Sequence, residues 1–134
     1  MIDHTGVIVS DFPKSKAFYS AALGAIGIAV VKGFPASVTG NTDVAGYGAP
    51  ETSTQGLSPE FWLARGEPGS IRVHVAFRVS SHALVDAFYN AAIAAGGRDN
   101  GAPGLRPQYH PNYYDAFVLD PDGHNIEAVC REAA

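Results

Sequence analysis

His4 and His74 stand 70 residues apart, and each precedes by the same interval a copy of nearly the same heptapeptide, AFYSAAL at 17–23 and AFYNAAI at 87–93. Imidazole is the commonest protein ligand for divalent transition metals, and a carboxylate usually completes such a site. Glu127 offers one. In HNIEAVC the apolar Ile126, Ala128 and Cys130 share one face of a strand, and Glu127 points the other way. A carboxylate in mid-strand between apolar residues needs a partner or a metal to offset its desolvation. His4, His74 and Glu127 therefore read as a two-histidine, one-carboxylate set for a divalent ion such as Ni, Zn, Mn or Fe(II).

If the halves repeat, the counterpart of Glu127 should lie near position 57, and Glu60 in SPEFWLA is three residues on. Phase puts Glu60, Trp62 and Ala64 on the histidine side, so either Glu60 or Trp62 can hold the fourth position. His110, in YHPNYYD with Tyr109, Asn112, Tyr113 and Tyr114, suits the wall of a small-molecule pocket, or an aromatic plug that steadies its loop. Arg72, Arg78 and Arg106 can meet an anionic substrate or face water, and Trp62 can line a pocket or fill space. His82, at a helix start, and His124, in a turn, read as surface residues; Cys130 reads as core. No Gly-rich phosphate motif, nucleophile elbow or cysteine pair is present.

The elements that must position these groups repeat as well. HTGVIVS and RVHVAFRVS have the β-branched alternation of strands, with Thr5, Val7 and Val9 on one face in the first and Val73, Val75, Phe77 and Val79 on one face in the second. Both histidines are off those apolar faces. A helix follows each strand. The first has Asp11 as N-cap, Pro13 in its opening turn and Gly24 past its end; the second starts near Ser80 or Ser81 and stops at Gly96-Gly97. Leu84, Val85, Phe88, Ala92 and Ala95 form the buried stripe of the second helix. Shorter strands are expected around 26–32, 36–39 and 60–64, and around 105–109, 114–119 and 125–131, with DPDG at 120–123 as a turn. The stretch 96–112, rich in Gly, Pro and Asn, is expected to be a binding loop. Each half is thus one strand, one helix and about three strands, too small to cover both faces of its sheet alone.

Bulk properties bound the rest. The 134 residues make about one domain, with 46% hydrophobic and 16% charged residues. Net charge is −4 with 9 scattered Lys and Arg, which argues against nucleic-acid and anionic-membrane partners. One cysteine permits no internal disulfide, no signal peptide is evident, and no stretch is long enough to span a membrane. A soluble, cytoplasmic protein is the expectation.

The early strand histidine, AFYSAALG, the histidine in VHVAF and the terminal DPDGHNIE together resemble the vicinal oxygen chelate superfamily, which includes glyoxalase I, extradiol dioxygenases and the fosfomycin- and bleomycin-resistance proteins. The resemblance covers essentially the whole chain. It implies an α+β fold in which two βαβββ modules, about 1–66 and 71–134, form a cupped mixed sheet around a metal, often in a homodimer. It carries the ligand pattern onto His4, His74 and Glu127, and onto Glu60 if its register is right. With Glu60 the set resembles glyoxalase I, where a metal holds substrate oxygens, an enediolate is stabilised and a glutamate (Glu127 or Glu60 here) moves the proton. Without it, the set resembles an Fe(II) facial triad of dioxygenase type, although the tyrosine of the extradiol enzymes is matched by Phe117. The reading is a metal-dependent, glyoxalase-like enzyme, an isomerase or lyase acting on a small oxygen-bearing substrate that Trp62, Arg106, His110, Tyr113 and Tyr114 help to bind. The alternatives are an Fe(II) dioxygenase or a drug-sequestering binder.

Overall fold

A computed structural model describes residues 1–40, 43–49 and 59–134. The first half supplies β1 (Thr5–Val9), α1 (Phe12–Gly24), β2 (Ala29–Phe34), the single-turn α2 (Ala36–Thr39), β3 (Val44–Gly48) and β4 (Phe61–Arg65). The second supplies β5 (His74–Val79), α3 (His82–Ala94), β6 (Arg98–Leu105), β7 (Tyr114–Leu119) and β8 (Asn125–Cys130). They build two mixed four-stranded sheets, in the orders β1-β4-β3-β2 and β5-β8-β7-β6. In each, the first strand runs parallel to the last and the remaining pairs are antiparallel.

Local chemistry sets the helices. Asp11 caps α1 by accepting from the Lys14 amide, and Ser81 caps α3 by accepting from the Leu84 amide. Both present their repeated aromatic residue inward, with Phe18 and Phe88 fully buried. Val7 and Val9 of β1, Phe61 and Leu63 of β4, and Ile126, Ala128 and Cys130 of β8 meet them in one core drawn from both halves. An edge-to-face pair of Phe61 and Phe77, 5.3 Å between centroids, crosses from β4 to β5.

The DPDG turn does more than reverse the chain. Tyr19 in α1 donates to Asp120 Oδ2 at 2.5 Å, and Ser10 donates both its amide and its hydroxyl to Asp122. His124 is buried, against the expectation of a surface residue. Its Nδ1 accepts from the Val73 amide, so its Nε2–H donates to the Ile8 carbonyl at 2.9 Å. The turn staples the second half to β1 and α1 of the first.

Three local expectations need correction. Residues 36–39 form α2, not a strand; the chain turns after Pro35, whose carbonyl accepts from the Val38 amide. The strand that pairs between β2 and β4 is β3, in VAGYG, where glycine hides the strand signal. Gly46 is required there because a Cβ would lie 2.5 Å from Pro59 Cγ. The supposed loop 96–112 contains β6, while 105–109 is mostly turn. β6 lies at the sheet edge and pairs with β7 through two register shifts, which is where a strand tolerates Pro103 and glycines.

Candidate metal centre

β5, β7 and β8 lie side by side, so alternation sends His74, Asp115, Phe117 and Glu127 to the face away from the helices. His74 Nδ1 is 3.0 Å from the Asn125 carbonyl oxygen, which can only accept, so Nδ1 carries the hydrogen. In the neutral ring, Nε2 then presents a lone pair, and it faces Glu127 Oε1 at 3.1 Å. Two electron-rich atoms aimed at each other require a proton or a cation between them. The backbone carbonyl thus fixes the tautomer that metal ligation needs. Glu127 is buried, and its other oxygen, Oε2, accepts from the Tyr113 hydroxyl at 2.7 Å.

Asp115 sits beside this pair, fully buried on the same face. Burial pushes its pKa up to about 7, helped by its hydrogen bonding and charge interaction with Glu127 and opposed by Arg106 and His74. Arg106 Nε lies 3.1 Å from Asp115 Oδ1. Tyr113 is pushed up to about 12 by burial and by Glu127, and stays a hydrogen-bond donor at any working pH. A cavity of about 350 Å³ opens over the pair, lined by His74, Tyr109, Tyr113, Phe117, Glu127 and Arg131.

The other candidates lie elsewhere. His4 is exposed just before β1, with Nδ1 2.7 Å from Asp3 Oδ1. Glu60 lines a separate depression of about 330 Å³ with Asp3, Thr5, Val75 and Arg78. Among the described residues, no group of three His, Cys, Asp or Glu side chains is placed to hold a metal ion. One chain brings together half of the expected set, His74 and Glu127, and leaves His4 and Glu60 apart from it.

Strand register settles which residue answers to Glu127. Val79 pairs with Cys130 and Ala76 with Glu127; in the first half Val9 pairs with Arg65 and Gly6 with Trp62. The counterpart of Glu127 is Trp62, and that of Asn125 is Glu60. Trp62 lies over Gly46, where a Cβ would come within 3.1 Å of its ring.

Of the expected pocket residues, Tyr113 lines the cavity, whereas Tyr114, its neighbour on the strand, turns to the helix side. There it stacks on His82 with centroids 3.9 Å apart and donates to Asp86. Arg106 is taken up by Asp115, and His110 is exposed, its Nδ1 accepting from the Asn112 amide within the loop. Sequence reasoning missed Asp115 and Arg131. Both carry the signal that identified Glu127: they alternate onto its face, Asp115 two residues before Phe117 and Arg131 four residues after Glu127.

Comparisons with known proteins agree with this fold. The model of the Glyoxalase/Bleomycin resistance protein/Dioxygenase superfamily matches residues 1–128. A glyoxalase/bleomycin resistance protein from Albidiferax ferrireducens is 30% identical over 97% of this chain and 98% of its own, with a TM-score of 0.74. Glyoxalase I from Zea mays (an E144Q mutant) is 21% identical over 96% of this chain, which spans 46% of the maize protein, with a TM-score of 0.70. The fosfomycin resistance protein FosX from Listeria monocytogenes, solved with Mn(II) and sulfate, is 17% identical over 97% of this chain and 91% of its own, at a TM-score of 0.64. No curated protein sequence matches this chain. The matched family model, the relative aligned over nearly both full lengths and the two repeated modules make this chain a member of the glyoxalase/bleomycin resistance/dioxygenase superfamily.

Proposed function

We propose that this protein is a metal-dependent enzyme acting on a small oxygen-bearing substrate, with isomerase or lyase chemistry, in a site shared by two copies of the chain. The observation that carries the reading is the His74 Nε2–Glu127 Oε1 approach of 3.1 Å, with Nδ1 tied to a carbonyl. Those donors fit a divalent ion in type and orientation. Two protein ligands are too few for a firm site, and the remaining family ligand, His4, is exposed, with its Nδ1 held by Asp3, which leaves Nε2 as the nitrogen to ligate. His4 from a second copy would supply the third. Ile8, Leu105 and Tyr109 add exposed apolar surface that a second copy would cover. Among the described residues no helix is long and apolar enough to cross a membrane.

A metal bound there supplies Lewis acidity to the substrate's oxygens. The chain's own groups do the remaining work. Tyr113 pins Glu127 Oε2, which leaves Oε1 turned to His74 Nε2 as the carboxylate atom that would help hold the ion. Asp115, its pKa raised by burial and by Glu127, holds a proton more readily than an ordinary carboxylic acid and so limits the negative charge beside Glu127. Phe117, its ring 6.0 Å from that of His74, excludes water from one side.

One observation favours a second reading, Fe(II)-dependent dioxygenation. With Trp62 at the counterpart of Glu127, the proposed set is three protein donors, which leaves positions open. Against it, Phe117 brings no hydroxyl to the cavity.

The test is metal content of untagged protein after reconstitution with Ni, Zn, Mn or Fe(II), beside His74→Ala, Glu127→Gln and Glu60→Ala. Stoichiometric metal lost in the first two variants and retained in Glu60→Ala is expected. No metal in the wild type under any condition would leave a small-molecule binding module.

A further inference from the structure

Most of the arginines near the sheet ends have work within the fold. Arg72 donates to the Asp122 and Gly69 carbonyls, Arg78 approaches Glu132 at 4.0 Å, and Arg106 pairs with Asp115. Arg131 is different. It follows β8 on the same face as Glu127, lines the same cavity, and has no carboxylate partner among the described residues. Its guanidinium carbon lies over the Tyr113 ring, 5.0 Å from the centroid.

That contact has a consequence for recognition. A guanidinium steadied by an aromatic ring keeps its N–H edge free, in the planar fork that matches a carboxylate. The acidic groups around it are otherwise engaged. Glu127 faces His74 and Tyr113, and Asp115 faces Arg106. The cavity therefore has a reacting end at His74 and Glu127 and an uncompensated positive end at Arg131. Tyr113 spans the two, with its hydroxyl on Glu127 and its ring under Arg131. The separation is about one tyrosine side chain plus its contacts, and the walls between are the rings of Tyr109, Tyr113 and Phe117. Tyr109 meets Tyr113 edge to face at 5.3 Å, so the wall beside Arg131 is aromatic.

We propose that Arg131 is the anion-recognising residue of this site and that the ligand is a small carboxylate with an apolar body, whose oxygen substituents point towards His74 and Glu127. The proposal rests on the reading of those two residues as the reacting end. A neutral ligand of the same shape leaves Arg131 without a counter-charge and binds more weakly.

Isothermal titration of the full chain with a matched pair of probes tests it: 3,4-dihydroxybenzoate, which carries the anion, and 3,4-dihydroxybenzamide, which does not. Titrations are run with metal-free and Mn(II)-loaded protein. The benzoate is expected to bind the wild type at least about tenfold more tightly than the amide, with a preference that shrinks as salt is raised. Arg131→Gln should bring the two affinities within about twofold, and Arg131→Lys should keep part of the preference. Arg131 is exposed, and both variants should melt with the wild type. Equal affinities in the wild type, no binding of the benzoate, or an undiminished preference in Arg131→Gln would overturn the proposal. His74→Ala separates it from the metal reading. A charge preference that survives in this variant keeps the anion end even if the wild type proves to hold no metal.

Discussion

Tyr113 donates its hydroxyl to Glu127 Oε2, and its pKa, pushed up to about 12 by burial and by that carboxylate, keeps the hydroxyl protonated. Tyr113→Phe removes one of the two contacts that orient the carboxylate. Metal affinity, read by competition with a chelator, should fall about 10- to 100-fold, as is usual when a partner of a ligating residue is lost. Unchanged affinity would mean that Tyr113 does not position Glu127. Asp115 gives a test by pH. Its folded-state value, about 7, lies above the 3.8 of the free side chain, so between these the folded protein holds a proton that the unfolded chain has lost. The stabilisation is full below the lower value and is gone once the pH has risen through the upper one. Urea unfolding of metal-free wild type should show stability falling from pH 5 to pH 8, and Asp115→Asn should flatten that slope; equal slopes would contradict the assignment. Both carboxylates could be found by alternation, because strand phase is local: Glu127 between Ile126 and Ala128, Asp115 between Tyr114 and Ala116. Arg106 as the partner of Asp115 could not, since that pairing depends on how β6 leads into the following turn.

Strand register decides more than strand identity. Alternation in SPEFWLA puts Glu60 and Trp62 on one face, yet only the hydrogen-bonded pairing of β1 with β4 says which one answers to Glu127. Register is a relation between segments more than 50 residues apart, and no single window contains it. β3 and β6 were hidden for a similar reason. Their glycines and proline suit a close approach and a sheet edge, both visible only once the neighbours are in place. The helices were legible because cap, stripe and stop lie within one segment, as Asp11 and Ser81 show. Gly6 offers a test at this scale. A Cβ there would lie 2.6 Å from the Trp62 carbonyl oxygen, a backbone atom that cannot swing aside. Gly6→Ala should cost about 1–3 kcal/mol by crowding the β1–β4 pairing. A denaturation midpoint equal to that of the wild type would show that the strands are less closely apposed.

The two halves behave as one molecule because a single core and the DPDG staple join them. Tyr19 is held neutral, its pKa raised well above the ordinary value by burial first and then by Asp120, so it donates to a carboxylate that is itself buried. Tyr19→Phe leaves that oxygen unpaired and should cost about 1–3 kcal/mol, read by thermal unfolding. A wild-type melting temperature in this variant would mean that the staple does not bind the halves together. In the proposed shared site, the same joint would fix how each chain presents its groups, with His74 and Glu127 in one module and His4 in the other. The repeat visible at 17–23 and 87–93 pointed to two modules, but not to whether the proposed ligands meet within one chain or across two. Mixing His4→Ala with His74→Ala answers that most directly. In a two-fold dimer with shared sites, the mixed species unites an intact His4 with an intact His74 and Glu127. Neither variant alone should hold metal. After unfolding and refolding them together, metal content should recover to roughly a quarter of wild type, the share expected for statistical mixing of two-fold dimers. No recovery in refolded mixed dimers would contradict a metal site shared between two copies.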